Sequence, residues 1–308
     1  MYELAIIGGG PAGVAAGVYA ARKRLNTVFI TEFFGGQSTD SGDVQNWIGT
    51  ISIKGEEFGK SLEAHVRAYA GDTLTFKTGK KVSGVAKTEQ GFRITMADGE
   101  TVEAKTVLLA TGSKRRKLEV PGAKELENKG ITYCASCDGP LFAGMDTAVI
   151  GGGNAAFETA AQLLAYAKSV TLLTHGEAFR ADKVTVDKVL SHPNMKAILN
   201  ADIVSVEGNP FVSSLTYKDK VANQTVKLGV QGIFVEIGLL PSTDLAKGLV
   251  ELNANNQIVI NPKNQRASVS GVWAAGDCAD SLYHQNNIAA GDAVRALEDI
   301  YMYLRAGK

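Results

Sequence analysis

Leu4-Ala5-Ile6-Ile7-Gly8-Gly9-Gly10-Pro11-Ala12-Gly13 returns without a gap as Thr147-Ala148-Val149-Ile150-Gly151-Gly152-Gly153-Asn154-Ala155-Ala156, an offset of 143 residues. Each copy opens with an apolar run of strand length, passes through glycines and continues into an alanine-rich stretch of helical character. A second apolar run follows in both copies, Thr27-Val28-Phe29-Ile30 in one and Val170-Thr171-Leu172-Leu173 in the other. Strand, glycine turn, helix, strand is the β-α-β unit that holds a dinucleotide pyrophosphate. One such motif is weak evidence. Two in register predict two dinucleotide-binding halves.

The glycines have separate duties. Gly8 allows the tight turn, Gly10 lets backbone approach phosphates, and Gly13 lets helix and strand pack closely. Pro11 and Ala12 begin the helix whose N–H groups face the pyrophosphate. Gly151 and Gly153 repeat the first two roles, Asn154 opens the second helix, and Ala156 takes the third position. Glu32 stands 19 residues after Gly13, where an acid binds a ribose diol. Beyond it, Phe34-Gly35-Gly36-Gln37 forms a loop able to approach a flat ring, with Gly36 and Gln37 as contact candidates.

The intervening chain reads as an amphipathic helix over 55–70 and alternating strands over 74–110, with a turn at Ala97-Asp98-Gly99. Val120-Pro121-Gly122 reads as a crossover between domains and Leu239-Leu240-Pro241 as the return. A final helix is expected from about Ile288 to Leu304.

Between the two repeats lies Cys134-Ala135-Ser136-Cys137-Asp138. Cysteines three apart can share a helical turn, within disulfide range, and the acid beside them can give or take a proton as sulfur comes and goes. A zinc site needs four ligands, and the chain adds only Cys278 and four scattered histidines, so no metal is expected.

A chain of 308 residues suggests two domains, and zero net charge gives no electrostatic case for nucleic acid or an anionic membrane. Three cysteines do not make a disulfide framework. Met1-Tyr2-Glu3-Leu4 runs into a strand without a basic leader, and no apolar run reaches the roughly 20 residues needed to span a bilayer. A cytoplasmic enzyme is expected.

Together these residues resemble the low-molecular-weight thioredoxin reductase family and the homologous catalytic part of alkyl hydroperoxide reductase flavoproteins. The marks, in the family's order, are the first glycine turn, Gly35-Gly36-Gln37, Ala110-Thr111-Gly112, the cysteine motif, Gly151-Gly152-Gly153-Asn154, and Ala274-Ala275-Gly276-Asp277-Cys278. The resemblance implies an α/β fold of two Rossmann-like, three-layer domains. A discontinuous FAD domain (1–117 and 245–308) would hold an inserted NAD(P)H domain (118–244) carrying the cysteines. It implies that Thr111, Gly112, Asp277, Gln285 and Asn46 join Gly36 and Gln37 around FAD, and that the enzyme is a homodimer. Electrons would pass from NAD(P)H through FAD to Cys134–Cys137, with Cys137 beside the flavin, Cys134 attacking a thioredoxin-like partner, and Asp138 as acid–base. The inserted domain is expected to rotate about hinges near Val120-Pro121-Gly122 and Leu240-Pro241.

Two windows depart from the pattern. NADPH-using relatives carry a basic H-R-R-x-x-x-R clamp. Here the window is Thr174-His175-Gly176-Glu177-Ala178-Phe179-Arg180, so only Arg180 remains, with His175 and Glu177 as further contacts. That favours NADH over NADPH, since a 2′-phosphate needs cationic donors. Tyr283-His284-Gln285-Asn286-Asn287 places two amides beside the flavin, to tune it or to cap the last helix. Alternatives are the same dithiol chemistry driven by ferredoxin, service to a peroxiredoxin through a separate carrier protein, and a non-enzymatic redox sensor.

Overall fold

The computed structural model describes residues 1–306. The first β-α-β unit is β1 (Tyr2–Ile7), α1 (Pro11–Arg22) and β2 (Thr27–Thr31). Then come α2 (Gly55–Ala70), β3 (Leu74–Thr78), β4 (Val82–Thr88), β5 (Gly91–Met96), β6 (Thr101–Leu109) and a short β7 (Ser113–Arg115). β8 (Ile131–Thr132) leads into a single helical turn, α3 (Ala135–Asp138). The second copy of the repeat is β9 (Asp146–Ile150), α4 (Asn154–Leu163) and β10 (Ser169–Leu173). After α5 (Lys183–Leu190) and β11 (Met195–Ile198) come β12 (Ala201–Gly208), β13 (Val212–Asp219), β14 (Gln224–Gly229) and β15 (Gly232–Val235). The last elements are β16 (Leu239–Pro241), β17 (Val272–Ala274) and α6 (Asn286–Ala306).

The chain divides into two compact units: Met1–Lys114 with the residues from Leu240 onward, and Arg115–Leu239. In the first, β3, β2, β1 and β6 lie side by side. β6 then forks, pairing antiparallel with β5 over Thr101–Ala104 and parallel with β17 over Val107–Leu109. The sheet is covered on both faces. Leu4 and Ile6 pack with α1, α2 and α6, while Ala5 and Ile7 pack with Ala246, Val250 and Ile258. That is why these strands read as continuous apolar runs, each buried Leu or Ile contributing roughly 1.5–3 kcal/mol.

The second unit repeats the plan. Its parallel sheet runs β11-β10-β9-β15-β8. Val149, Leu172 and Phe234 pack on α4, and Ala148, Ile150, Ile233 and Val235 pack on the antiparallel sheet β12-β13-β14.

Val120-Pro121-Gly122, expected as the crossover and hinge, lies inside this second unit. Val206 N–H donates to the Pro121 carbonyl at 2.9 Å. A Cβ on Gly122, at φ +81°, would sit 1.9 Å from the Val206 oxygen. The proline and glycine therefore serve a turn fastened to β12. The chain passes between units at Lys114–Arg115 instead, and returns at Leu239–Leu240. Among the described residues, no helix is long and apolar enough to cross a membrane.

Candidate active site

In the first unit, Gly8 and Gly13 are among the glycines of the turn that the protein itself demands. Gly8 has φ +120°, and a Cβ there would lie 2.1 Å from the Ala110 oxygen; one at Gly13 would lie 1.8 Å from the Gly8 oxygen. Gly10 differs. A Cβ there meets nothing nearer than Gly36 Cα at 4.0 Å, so the protein's own packing does not require a glycine. A phosphate brought against the backbone does require it, and Pro11 and Ala12 follow at the start of α1. Glu32, the candidate ribose acid, follows directly on β2 and is exposed.

Gly36 and Gln37 lie just beyond, in a short 3-10 turn. The Gln37 amide donates to Ser113 Oγ at 2.9 Å and to Asp277 Oδ2 at 3.4 Å, and Ser113 Oγ donates to the same carboxylate at 3.2 Å. Thr111 and Gly112 immediately precede that serine. Asn46 Nδ2 donates to Gln285 Oε1 at 3.1 Å, and Asn287 Nδ2 to the Asn46 carbonyl at 2.7 Å. Ser38 Oγ donates to Asn286 Oδ1 at 2.9 Å. The two unexpected amides thus tie the start of α6 to the 38–46 segment. His284 Nδ1 lies 3.4 Å from Asp277 Oδ1. These residues, with the α1 turn, are the ones that would hold a dinucleotide in the first unit. Ser113 and Ser38 were missed because their partners lie far away in sequence.

In the second unit, Cys134 and Cys137 are disulfide-bonded, with Cα atoms 5.3 Å apart. Cys134 is the N-cap of α3, and the Cys137 N–H donates to Cys134 Sγ at 3.2 Å. An N–H aimed at sulfur favours the thiolate once the disulfide opens. The Asp138 N–H donates to the Cys134 carbonyl at 3.0 Å, and its carboxylate accepts from Thr132 Oγ1. Ser136 Oγ donates to Gln162 Oε1 at 2.9 Å, fastening the motif beside α4. Cys278, the remaining cysteine, is fully buried in the first unit, and burial pushes its thiol up from the ordinary value. Among the described residues, no cluster of three or more His, Cys, Asp or Glu could hold a metal.

The second glycine turn follows the first. Gly151 has φ +150°, and its Cβ would lie 2.4 Å from the Glu236 oxygen, whereas one at Gly153 would meet nothing within 4 Å. Ala156, fully buried, sits where Gly13 sits in the first copy. Asn154 Oδ1 accepts the Asp182 N–H at 2.8 Å. Arg180 donates its N–H to the Gly152 carbonyl at 2.7 Å, which places it at the turn. Glu177 is exposed, as is His175 at the end of β10. The His175 Nδ1 lies 3.2 Å from Asp202 Oδ1, and Lys220 Nζ donates to the His175 carbonyl at 2.6 Å. Asp202 and Lys220 are additions that the sequence, 27 and 45 residues away, did not signal.

Glu236 lies under this turn. Its carboxylate is 3.2 Å from Arg115 Nη1 and accepts from Thr159 Oγ1 at 2.8 Å. Burial pushes the carboxyl above the ordinary range, and the arginine and the threonine offset this only in part. The folded chain therefore holds this proton more tightly than the unfolded one. The stability linked to it is complete below the unfolded value and is lost as pH rises through the folded one. Glu236→Gln keeps the shape but cannot ionise. Its melting temperature relative to the parent is expected to climb from acid to neutral pH by a few degrees, about 1 kcal/mol. A difference flat with pH, measured by calorimetry, would contradict this.

Comparison with known proteins matches residues 2–293 to the family described as pyridine nucleotide-disulphide oxidoreductase. The F subunit of the Escherichia coli alkyl hydroperoxide reductase is 40% identical over 304 residues, 98% of this chain and 58% of that protein. A Bacillus subtilis protein named NADH dehydrogenase is 37% identical over 303 residues, 98% of this chain and 58% of its own length. The chain thus spans somewhat over half the length of these curated relatives. Among solved structures, the thioredoxin reductase of Giardia duodenalis superimposes with a TM-score of 0.92 at 31% identity, covering 98% of both chains. With two β-α-β units of the glycine-turn type and a disulfide in the second unit, the chain belongs to the pyridine nucleotide-disulphide oxidoreductase family.

Proposed function

We propose that this chain is a thioredoxin reductase-like enzyme: the first unit holds FAD, the second holds NAD(P)H, and Cys134–Cys137 reduces the disulfide of a thioredoxin-like protein. The observation that carries the reading is the disulfide itself, at the N-cap of α3 with Asp138 directly after it. FAD supplies, when bound, the two electrons that open the disulfide. The chain's own residues do the rest. Gly10 and the start of α1 would seat the pyrophosphate on a turn that Gly8 and Gly13 allow, with Gln37, Ser113 and Asp277 as the polar groups nearby to hold the cofactor. Cys134, its sulfur facing the Cys137 N–H, is the interchange thiol, and Asp138 moves the proton.

Likeness to the alkyl hydroperoxide reductase proteins, at about 40% identity, favours a second destination for the electrons: a peroxiredoxin served through a carrier with a reducible disulfide. The working form in either case is a cytoplasmic homodimer.

NADH is the expected donor. The window after β10 offers Arg180 against Glu177, and Lys220 is already held by the His175 carbonyl and, at 3.7 Å, by Asp202. A relative bears the name NADH dehydrogenase. Anaerobic titration should bleach the flavin with NADH at least about tenfold more efficiently than with NADPH, the worth of one unmade charged contact. Bleaching by neither would instead point to a protein donor such as ferredoxin. Adding thioredoxin to the reduced protein then tests the acceptor: reoxidation supports thioredoxin, and none directs the search to another carrier.

A further inference from the structure

One buried polar side chain beside the disulfide has no part in the mechanism above. Thr132 ends β8, where it stands opposite Phe234 of β15 in the sheet of the second unit. It is 6% exposed. Its hydroxyl donates to Asp138 Oδ2 and accepts the Cys134 N–H at 3.4 Å. Amide, hydroxyl and carboxylate form one chain of hydrogen bonds polarised toward the acid. A β-branched side chain on a strand has few rotamers, so the sheet holds this hydroxyl and the hydroxyl holds the carboxyl.

We propose that Thr132 is a positioning residue for Asp138, setting the direction and readiness with which that carboxyl moves its proton during thiol–disulfide exchange. The inference rests on Cys134–Cys137 being the working disulfide. In the exchange, the Cys134 thiolate attacks one sulfur of the partner disulfide. A Cys134–partner S–S bond forms, the partner's own S–S bond breaks, and the departing thiolate takes a proton from the Asp138 carboxyl. The Cys137 thiol returns a proton to Asp138 and attacks Cys134 Sγ. The Cys134–Cys137 bond re-forms and the second partner thiolate leaves. The cysteine pair loses two electrons and the partner disulfide gains them. A hydroxyl donating to the carboxylate stabilises its ionised form, so the carboxyl releases its proton more readily at the first departure. It also fixes the rotation of the carboxyl group.

The test needs neither flavin chemistry nor nucleotide. The full chain is reduced with dithiothreitol, desalted, and mixed in single turnover with one of two small disulfides. Bis(2-hydroxyethyl) disulfide expels a basic thiolate that needs a proton, whereas dithiodipyridine expels one that does not. Thr132→Val is expected to react about tenfold more slowly with the first and at the parent rate with the second. Thr132→Ala, which asks less of the core, carries the same expectation, and Thr132→Ser should recover the parent rate to within about twofold. In an Asp138→Asn background, Thr132→Val should add nothing. Equal slowing with both disulfides would mean a packing defect and overturn the proposal, as would a parent rate with bis(2-hydroxyethyl) disulfide. If Cys134→Ser still reduces either disulfide at the parent rate, the reading of the disulfide fails instead, and the two failures cannot be confused.

Discussion

Serine at position 134 or at position 137 is expected to lower disulfide reduction by on the order of 10³-fold or more, because each sulfur makes and breaks a bond in every cycle. A serine hydroxyl ionises far too weakly to replace a thiolate at neutral pH. Both variants should still bind FAD, since the residues expected to seat it lie in the first unit and the cysteines in the second. They should also still pass electrons from nucleotide to an artificial dye. That split, with dye turnover intact and thioredoxin turnover gone, is the measurement. Loss of bound flavin in both variants would assign the disulfide a structural role and remove the proposed function.

The glycine turn of the first unit gives the second large effect. Alanine at Gly13 puts a methyl group 1.8 Å from the Gly8 oxygen, a backbone atom that moves only if β1 and α1 separate. A cost of about 3–5 kcal/mol is expected, visible as lost soluble protein or a melting point many degrees lower. Alanine at Gly10 meets nothing closer than 4.0 Å, so the apo protein should melt as the parent does. Its FAD affinity, read by flavin fluorescence, should nevertheless fall by about 100-fold, because the methyl takes the place of the pyrophosphate. Two alanines three residues apart thus separate a folding duty from a binding duty. If Gly10→Ala binds FAD as the parent does, the cofactor does not lie on this turn.

Much of this was legible in the sequence, for identifiable reasons. Strands buried on both faces, such as Leu4–Ile7 and Val107–Leu109, leave uninterrupted apolar runs, and a repeated glycine turn needs specific residues at fixed spacing. The disulfide was legible because its partners are three residues apart. Val120-Pro121-Gly122 misled because proline and glycine announce a turn without saying whether the turn is free. What fastens it is Val206, contributed by β12 much later in the chain. The polar groups around the candidate sites were hidden for the same reason. Gln37 reaches residues 76 and 240 positions away, and no local pattern encodes such convergence.

The fork in β6 bears on how the molecule is made. The partner for its Val107–Leu109 half is β17, which with α6, packed against α1 in the same core, follows the whole second unit in sequence. During synthesis the parallel sheet of the second unit is complete by Val235, while the first unit still lacks β17 and α6. The unit whose first strands come earlier in the sequence is therefore the one that closes after the other, and on the ribosome its open sheet edge must wait for the closing segment to arrive.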